Sequence, residues 1–131
     1  MELYIGGYAQ GKLTYVRKKY PKAQIYDENN WQQLAAYTGQ TVVCNHLHRI
    51  IAAELAEGKT QAEILAELQD VRQRYEKICF ICDEIGNGIV PIEKAERDYR
   101  EVTGRILTVL AEQAETVTRI LCGLGQCIKG A

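Results

Sequence analysis

Apolar residues fall along this chain in short runs, separated by longer segments in which they recur every three or four positions. The short runs read as buried strands and the longer segments as helices with one apolar face. Leu3-Tyr4-Ile5 ends at Gly6-Gly7 and reads as a first strand feeding a turn. Lys12 to Tyr20 suits a helix, closed by Pro21, which cannot easily continue one. Ala23 to Tyr26 reads as a short strand, 27–30 as a polar turn and Trp31 to Tyr37 as a short helix stopped near Gly39. Thr41 to Cys44, β-branched and apolar, reads as another buried strand.

The second half repeats the alternation. Leu47 to Glu57 is helical in pattern and ends at Gly58. Thr60 and Glu63 have the spacing of a capping box, in which the two side chains satisfy free amides at a helix start. Ile64, Leu68, Val71 and Tyr75 follow at helical spacing, and Ile78 to Cys82 reads as a strand. Pro91 suits the first turn of a long helix whose apolar face runs Ala95, Tyr99, Val102, Ile106 and Val109. Thr116 to Leu121 reads as a further strand, with Gly123 and Gly125 bending the chain into a last short one. Strands alternating with helices predict an α/β fold: a mostly parallel sheet with helices on both faces. No repeat or interdomain linker breaks the pattern, so one domain is expected over 1–131.

Composition narrows the classes. Sixteen basic and seventeen acidic residues leave a net charge of −1, against the basic excess of a dedicated nucleic-acid binder. No apolar run reaches the roughly 18–20 residues of a membrane helix, and the first residues lack a signal-peptide pattern, so a cytoplasmic location is expected. The five cysteines are odd in number, which argues against a disulfide framework. Cys79 and Cys82 form a C-x-x-C. On a strand, residues three apart face opposite sides and chelate one ion poorly, so both read as core residues.

Gly6-Gly7-Tyr8-Ala9-Gln10-Gly11-Lys12 matches G-x-x-x-x-G-K, with a strand before it and a helix after. In such a loop the glycines let backbone amides converge on phosphate oxygens. The following helix adds its positive end, and Lys12 would reach the outer phosphates. The pattern calls for Ser or Thr next, to hold magnesium. Leu13 stands there, and Thr14 follows one residue later, about 100° further round the helix.

A second motif, Asp83-Glu84-Ile85-Gly86-Asn87-Gly88-Ile89-Val90-Pro91, directly follows a predicted buried strand, where parallel sheets place their ligand crevice. Its acidic pair suits magnesium or a sugar hydroxyl. This segment, with Arg97-Asp98-Tyr99-Arg100, Gly104-Arg105 and the Gly123 to Lys129 tail, resembles the adenosylcobinamide kinase / adenosylcobinamide-phosphate guanylyltransferase family of cobalamin biosynthesis. Gly6-Gly7 and Gly11-Lys12 fit that family's start.

The resemblance implies a P-loop fold and an ATP- or GTP-dependent phosphoryl transfer to adenosylcobinamide, a corrinoid. GMP transfer then follows through a guanylylated histidine, in symmetric oligomers that are commonly trimers. It makes Lys12 and Glu84 the candidate catalytic residues and Gly6 to Thr14 the nucleotide loop. Asp83, Gly86, Gly88, Arg100 and Arg105 become candidate substrate or anion contacts, with Thr14 and Asn45 at the magnesium positions.

The chain departs from that family at Leu13, at Asn45 where an acidic residue is expected, and at Leu107 in place of asparagine. The stretch from Gln24 to Trp31 replaces the longer segment that carries the histidine nucleophile and contains no histidine. His46 and His48 read instead as surface or helix-start residues. Three readings follow: a shortened kinase-like transferase, a relative that binds nucleotide or corrinoid without chemistry, and a subunit that pairs with a full-length relative.

Overall fold

A computed structural model describes residues 1–36, 39, 41–85 and 93–130, with the side chains of Ala35 and Ala36 left aside. Among these residues six strands form one sheet: β1 (Glu2–Gly6), β2 (Gln24–Tyr26), β3 (Thr41–Cys44), β4 (Lys77–Asp83), β5 (Thr116–Leu121) and β6 (Leu124–Lys129). The described α-helices are α1 (Lys12–Lys19), α2 (Leu47–Ala56), α3 (Gln61–Arg74) and α4 (Lys94–Gln113). The stretch read as a short helix is a 3-10 helix over Trp31–Ala36, and Tyr37 lies outside the described residues. Pro91, Gly86 and Gly88 also lie outside them.

The sheet order is β2-β3-β4-β1-β5-β6, and every neighbouring pair is parallel except β5 with β6. Parallel strands buried on both faces carry side chains inward on each side in turn. Ile78, Phe80 and Cys82 of β4 enter the larger core with α2, α3 and α4, while Cys79 and Ile81 enter the smaller core beside Val16 of α1. Cys79 and Cys82 therefore lie in cores on opposite faces, as their spacing predicts. Burial pushes both thiols up to about 12, so neither supplies a thiolate at neutral pH.

Local sequence accounts for several element ends. Thr60 Oγ1 accepts from the Glu63 amide at 3.2 Å, and Glu63 Oε1 accepts from the Thr60 amide at 3.2 Å, which is the capping box at the start of α3. Gly58, at φ +89°, closes the end of α2. The long helix keeps its predicted face at Tyr99, Val102 and Ile106, which pack on the larger core, and departs from it at Ala95. Its buried line is Thr103, Ile106 and Leu110, and Ala95 is exposed. The last hairpin turns at Cys122-Gly123, both at positive φ (51° and 76°), the mirror-image geometry that matches strand twist. Gly125 is therefore not a bend but a strand residue. A Cβ there would fall 2.4 Å from the Tyr15 hydroxyl.

Candidate nucleotide site

The carboxyl ends of β1, β3 and β4 converge on a cleft of about 320 Å3, bordered by Tyr8 to Thr14, Asn45, His46, Arg49 and Asp83. The loop from Gly6 to Gly11 crosses from β1 to α1. Gly6 fits because a Cβ there would lie 2.5 Å from the Ile120 carbonyl of the neighbouring strand. Gly11 stands at φ +87°, the left-handed conformation that glycine adopts without strain, and α1 starts at the next residue. The loop is held from behind by the hairpin. The Gln10 side-chain oxygen accepts from the Cys122 amide at 2.7 Å, and the Gln10 carbonyl accepts from the Gly123 amide at 2.8 Å.

Lys12 folds back over the loop. Its ammonium donates to the Gly7 carbonyl at 2.7 Å and stands 2.7 Å from Asp83 Oδ1. Register explains the pairing, because Gly6 and Asp83 are partners in the β1–β4 ladder. The other carboxylate oxygen, Oδ2, lies 3.4 Å from His48 Nε2. The Asp83 amide donates to His48 Nδ1 at 3.1 Å. With Nδ1 acting as an acceptor, the neutral ring carries its proton on Nε2, facing Asp83. Burial holds His48 below its usual 6.5, against the opposing pull of Asp83.

His46 is built differently. It caps the start of α2 at φ +57°, and its Nδ1 lies 3.1 and 3.3 Å from the two Glu28 oxygens. Glu28 is carried there by the polar turn after β2. In that turn the Asn29 amide donates to Asp27 Oδ1 at 2.9 Å and the Asp27 amide to Asn30 Oδ1 at 2.8 Å. Asn45 is buried beside His46, and its amide donates to the Tyr26 carbonyl at 2.7 Å.

The structure thus brings together Tyr8 to Thr14, Asn45 and Asp83 of the residues singled out in the sequence. Leu13 borders the cleft and also packs against the smaller core, and Thr14 is exposed at its edge. Glu84 is elsewhere. Its carboxylate forms a two-pronged pair with Arg119, at 2.8 Å to Nε and 3.2 Å to Nη2. Arg100 and Arg105 lie on α4, one turn from their partners Glu96 and Glu101, and neither borders the cleft. Sequence reasoning passed over Arg49, and it read His46 as a surface or helix-start residue, which starts α2 but also borders the cleft. The available signal was that His46 and Arg49 follow a strand directly, at the end where ligands collect.

A parallel sheet with a glycine-rich loop between β1 and α1, and a lysine reaching back across that loop, defines a P-loop α/β protein. The sequence model of the cobinamide kinase / cobinamide phosphate guanyltransferase family matches residues 23–128, and the chain belongs to that family. The match begins after the phosphate loop, so the loop stands on its own sequence and geometry. Two curated relatives are bifunctional adenosylcobalamin biosynthesis proteins. The one from Escherichia coli strain K12 is 32% identical over 73 residues, 56% of this chain and 40% of the relative. The one from Salmonella typhimurium is 36% identical over 53 residues, 40% of this chain and 29% of the relative. The chain therefore covers well under two thirds of either relative's length. No helix among the described residues is long and apolar enough to cross a membrane.

Proposed function

We propose that this chain binds ATP or GTP in the Gly6 to Thr14 loop and transfers a phosphoryl group to adenosylcobinamide, as a short kinase-like member of its family. The observation that carries the reading is the position of Lys12, whose ammonium is held over the loop by Gly7 and Asp83. Phosphoryl transfer relies on positioning and charge stabilisation, and a lysine held over a glycine-rich loop at a helix start suits both.

The oxygen donors suit a magnesium ion brought in with the nucleotide. Asp83 is the one carboxylate among the described residues bordering the cleft, and Thr14 adds a hydroxyl there. Asp83 and Thr14 would hold the ion, which when bound would neutralise phosphate charge. Asn45, neutral and buried at the same end, suits a hydrogen bond to a phosphate or sugar. The second, guanylyl step is not part of the proposal, because the stretch from Gln24 to Trp31 contains no histidine. A self-associated state, a trimer by family resemblance, is part of it. Leu121, Leu124 and Ile128 stand exposed on the β5–β6 hairpin, and light scattering tests the assembly.

One observation favours a second reading, binding without chemistry: Leu13 occupies the position where magnesium-dependent relatives of this loop carry a hydroxyl. Calorimetric titration of ATP and GTP with and without magnesium, followed by an assay for phosphorylated adenosylcobinamide, separates the two. Binding with product supports the transferase. Binding without product supports the second reading. Absence of binding overturns both.

A further inference from the structure

We propose that His46, oriented by Glu28, is the general base that takes the proton from the acceptor hydroxyl at this cleft. The inference rests on the phosphoryl-transfer reading above. Three observations meet at this residue. First, His46 borders the same cleft as Lys12, just past the carboxyl end of β3. Secondly, it stands at φ +57°, a conformation uncommon for a residue with a side chain. Such strain persists only where surrounding structure enforces it, and it gathers at working sites.

Thirdly, the partner of its ring defines the tautomer. An ionised carboxylate only accepts hydrogen bonds, so His46 Nδ1, 3.1 Å from Glu28, carries the proton of the neutral ring. Its Nε2 is then left with a free lone pair. His48 has the opposite arrangement, with Nδ1 accepting from the Asp83 amide. Of the two histidines, only His46 is prepared to accept a proton.

The other candidates in the cleft are less suited. Asp83 is already engaged by the Lys12 ammonium at 2.7 Å. Glu84 is engaged by Arg119. In the proposed step the acceptor oxygen forms a bond to the terminal phosphorus of the nucleotide. The bond from that phosphorus to the bridging oxygen breaks, and its electron pair leaves with the nucleoside diphosphate. The hydroxyl proton passes to His46 Nε2. Glu28, facing Nδ1, balances the imidazolium charge that results. Arg49, which borders the cleft with its Nη1 3.8 Å from Glu28, keeps that carboxylate in place.

Glu28 is a positioning residue in this scheme, and its role has a direct readout. Nitrogen-15 spectra of the His46 ring in the full chain should show the proton on Nδ1. Glu28→Ala should move it to Nε2. A wild-type ring protonated on Nε2 overturns the proposal. The second measurement uses His46→Asn, because asparagine tolerates the left-handed conformation. His46→Asn should bind ATP or GTP within about threefold of the wild type, by calorimetry. Its rate of phosphoryl transfer to adenosylcobinamide should fall by about 10²–10⁴, and that of Glu28→Ala by a smaller factor. Transfer by His46→Asn within about threefold of the wild type overturns the general-base role and leaves the nucleotide reading standing. A wild type that binds nucleotide but forms no product overturns the base role as well. A wild type that binds no nucleotide overturns the underlying reading instead.

Discussion

The Lys12 ammonium stands 2.7 Å from Asp83 Oδ1, and the two side chains are only 8% and 18% exposed. Lys12 must loosen this pair to reach a phosphate, or share itself between the two. Asp83→Asn should therefore tighten nucleotide binding measured without magnesium. Releasing a pair worth on the order of 1 kcal/mol corresponds to about fivefold in affinity. The same substitution should shrink the gain that magnesium brings, since the cleft loses its carboxylate. It should also lower fold stability by about 1–3 kcal/mol, because Lys12 is left largely buried with only the Gly7 carbonyl. Lys12→Ala should weaken binding by at least about tenfold. Calorimetry with and without magnesium, beside urea unfolding, separates these effects.

The first two loop glycines should behave differently when each is changed to alanine. At Gly6 the new Cβ would meet the Ile120 carbonyl at 2.5 Å, and backbone cannot move aside cheaply. Gly6→Ala should cost about 1–3 kcal/mol of stability. At Gly7 the nearest atom would be Gln10 Cγ at 3.6 Å, an ordinary contact. Gly7→Ala should leave stability within about 0.5 kcal/mol of the wild type, yet weaken nucleotide binding by crowding the approach to the backbone. Equal losses of stability in the two variants would contradict the β1–β5 geometry.

The Gln10 side chain should matter by bracing the loop. Its side chain accepts from the Cys122 amide and its carbonyl from the Gly123 amide, so the hairpin turn braces the loop. Gln10→Ala removes one bond and should cost about 1 kcal/mol. Hydrogen exchange should quicken at Cys122, and nucleotide affinity should fall with it. Unchanged exchange at Cys122 would mean that another contact carries the turn.

Acid should act through Glu2 at the far end of β1. Burial pushes its carboxyl up, but hydrogen bonds from Tyr20, Tyr4 and Lys19 outweigh burial and leave it below the ordinary 4.5. A carboxyl lowered in the native state binds fewer protons there than in the unfolded chain. Its contribution to stability is therefore present above pH 4.5 and is lost as pH falls below it. The stability difference between wild type and Glu2→Gln, read from urea midpoints, should shrink as pH falls from 7 towards 3. A difference constant with pH would show that the ionised form has no special hold on the fold.

The local features were legible because each depends on residues close in sequence. The Thr60 capping box, the glycine loop and the placement of Cys79 and Cys82 on opposite faces all follow from spacing and chain geometry. The face of α4 was legible in part, since Tyr99, Val102 and Ile106 do pack on the core. A helical repeat marks a stripe, but which edge of the stripe is buried depends on what lies beneath. Here Leu110 and Thr103 flank Ile106, and Ala95 stands exposed.

The site divides along the same line. By itself the sequence determined that a glycine-rich loop ending in Lys12 joins the first strand to the first helix, and that acidic residues end a later strand. It did not determine which acid meets the lysine. Asp83 and Glu84 are neighbours in the chain. Strand register placed Asp83 opposite Gly6 and beside Lys12, and left Glu84 to Arg119. Nor did it show that Glu28 and His46, 18 positions apart, would meet. The parallel pairing of β2 with β3 brings their carboxyl ends together, and with them the turn carrying Glu28 and the residue that starts α2. Contacts of that kind depend on how strands are ordered in space, and local spacing carries no record of that order.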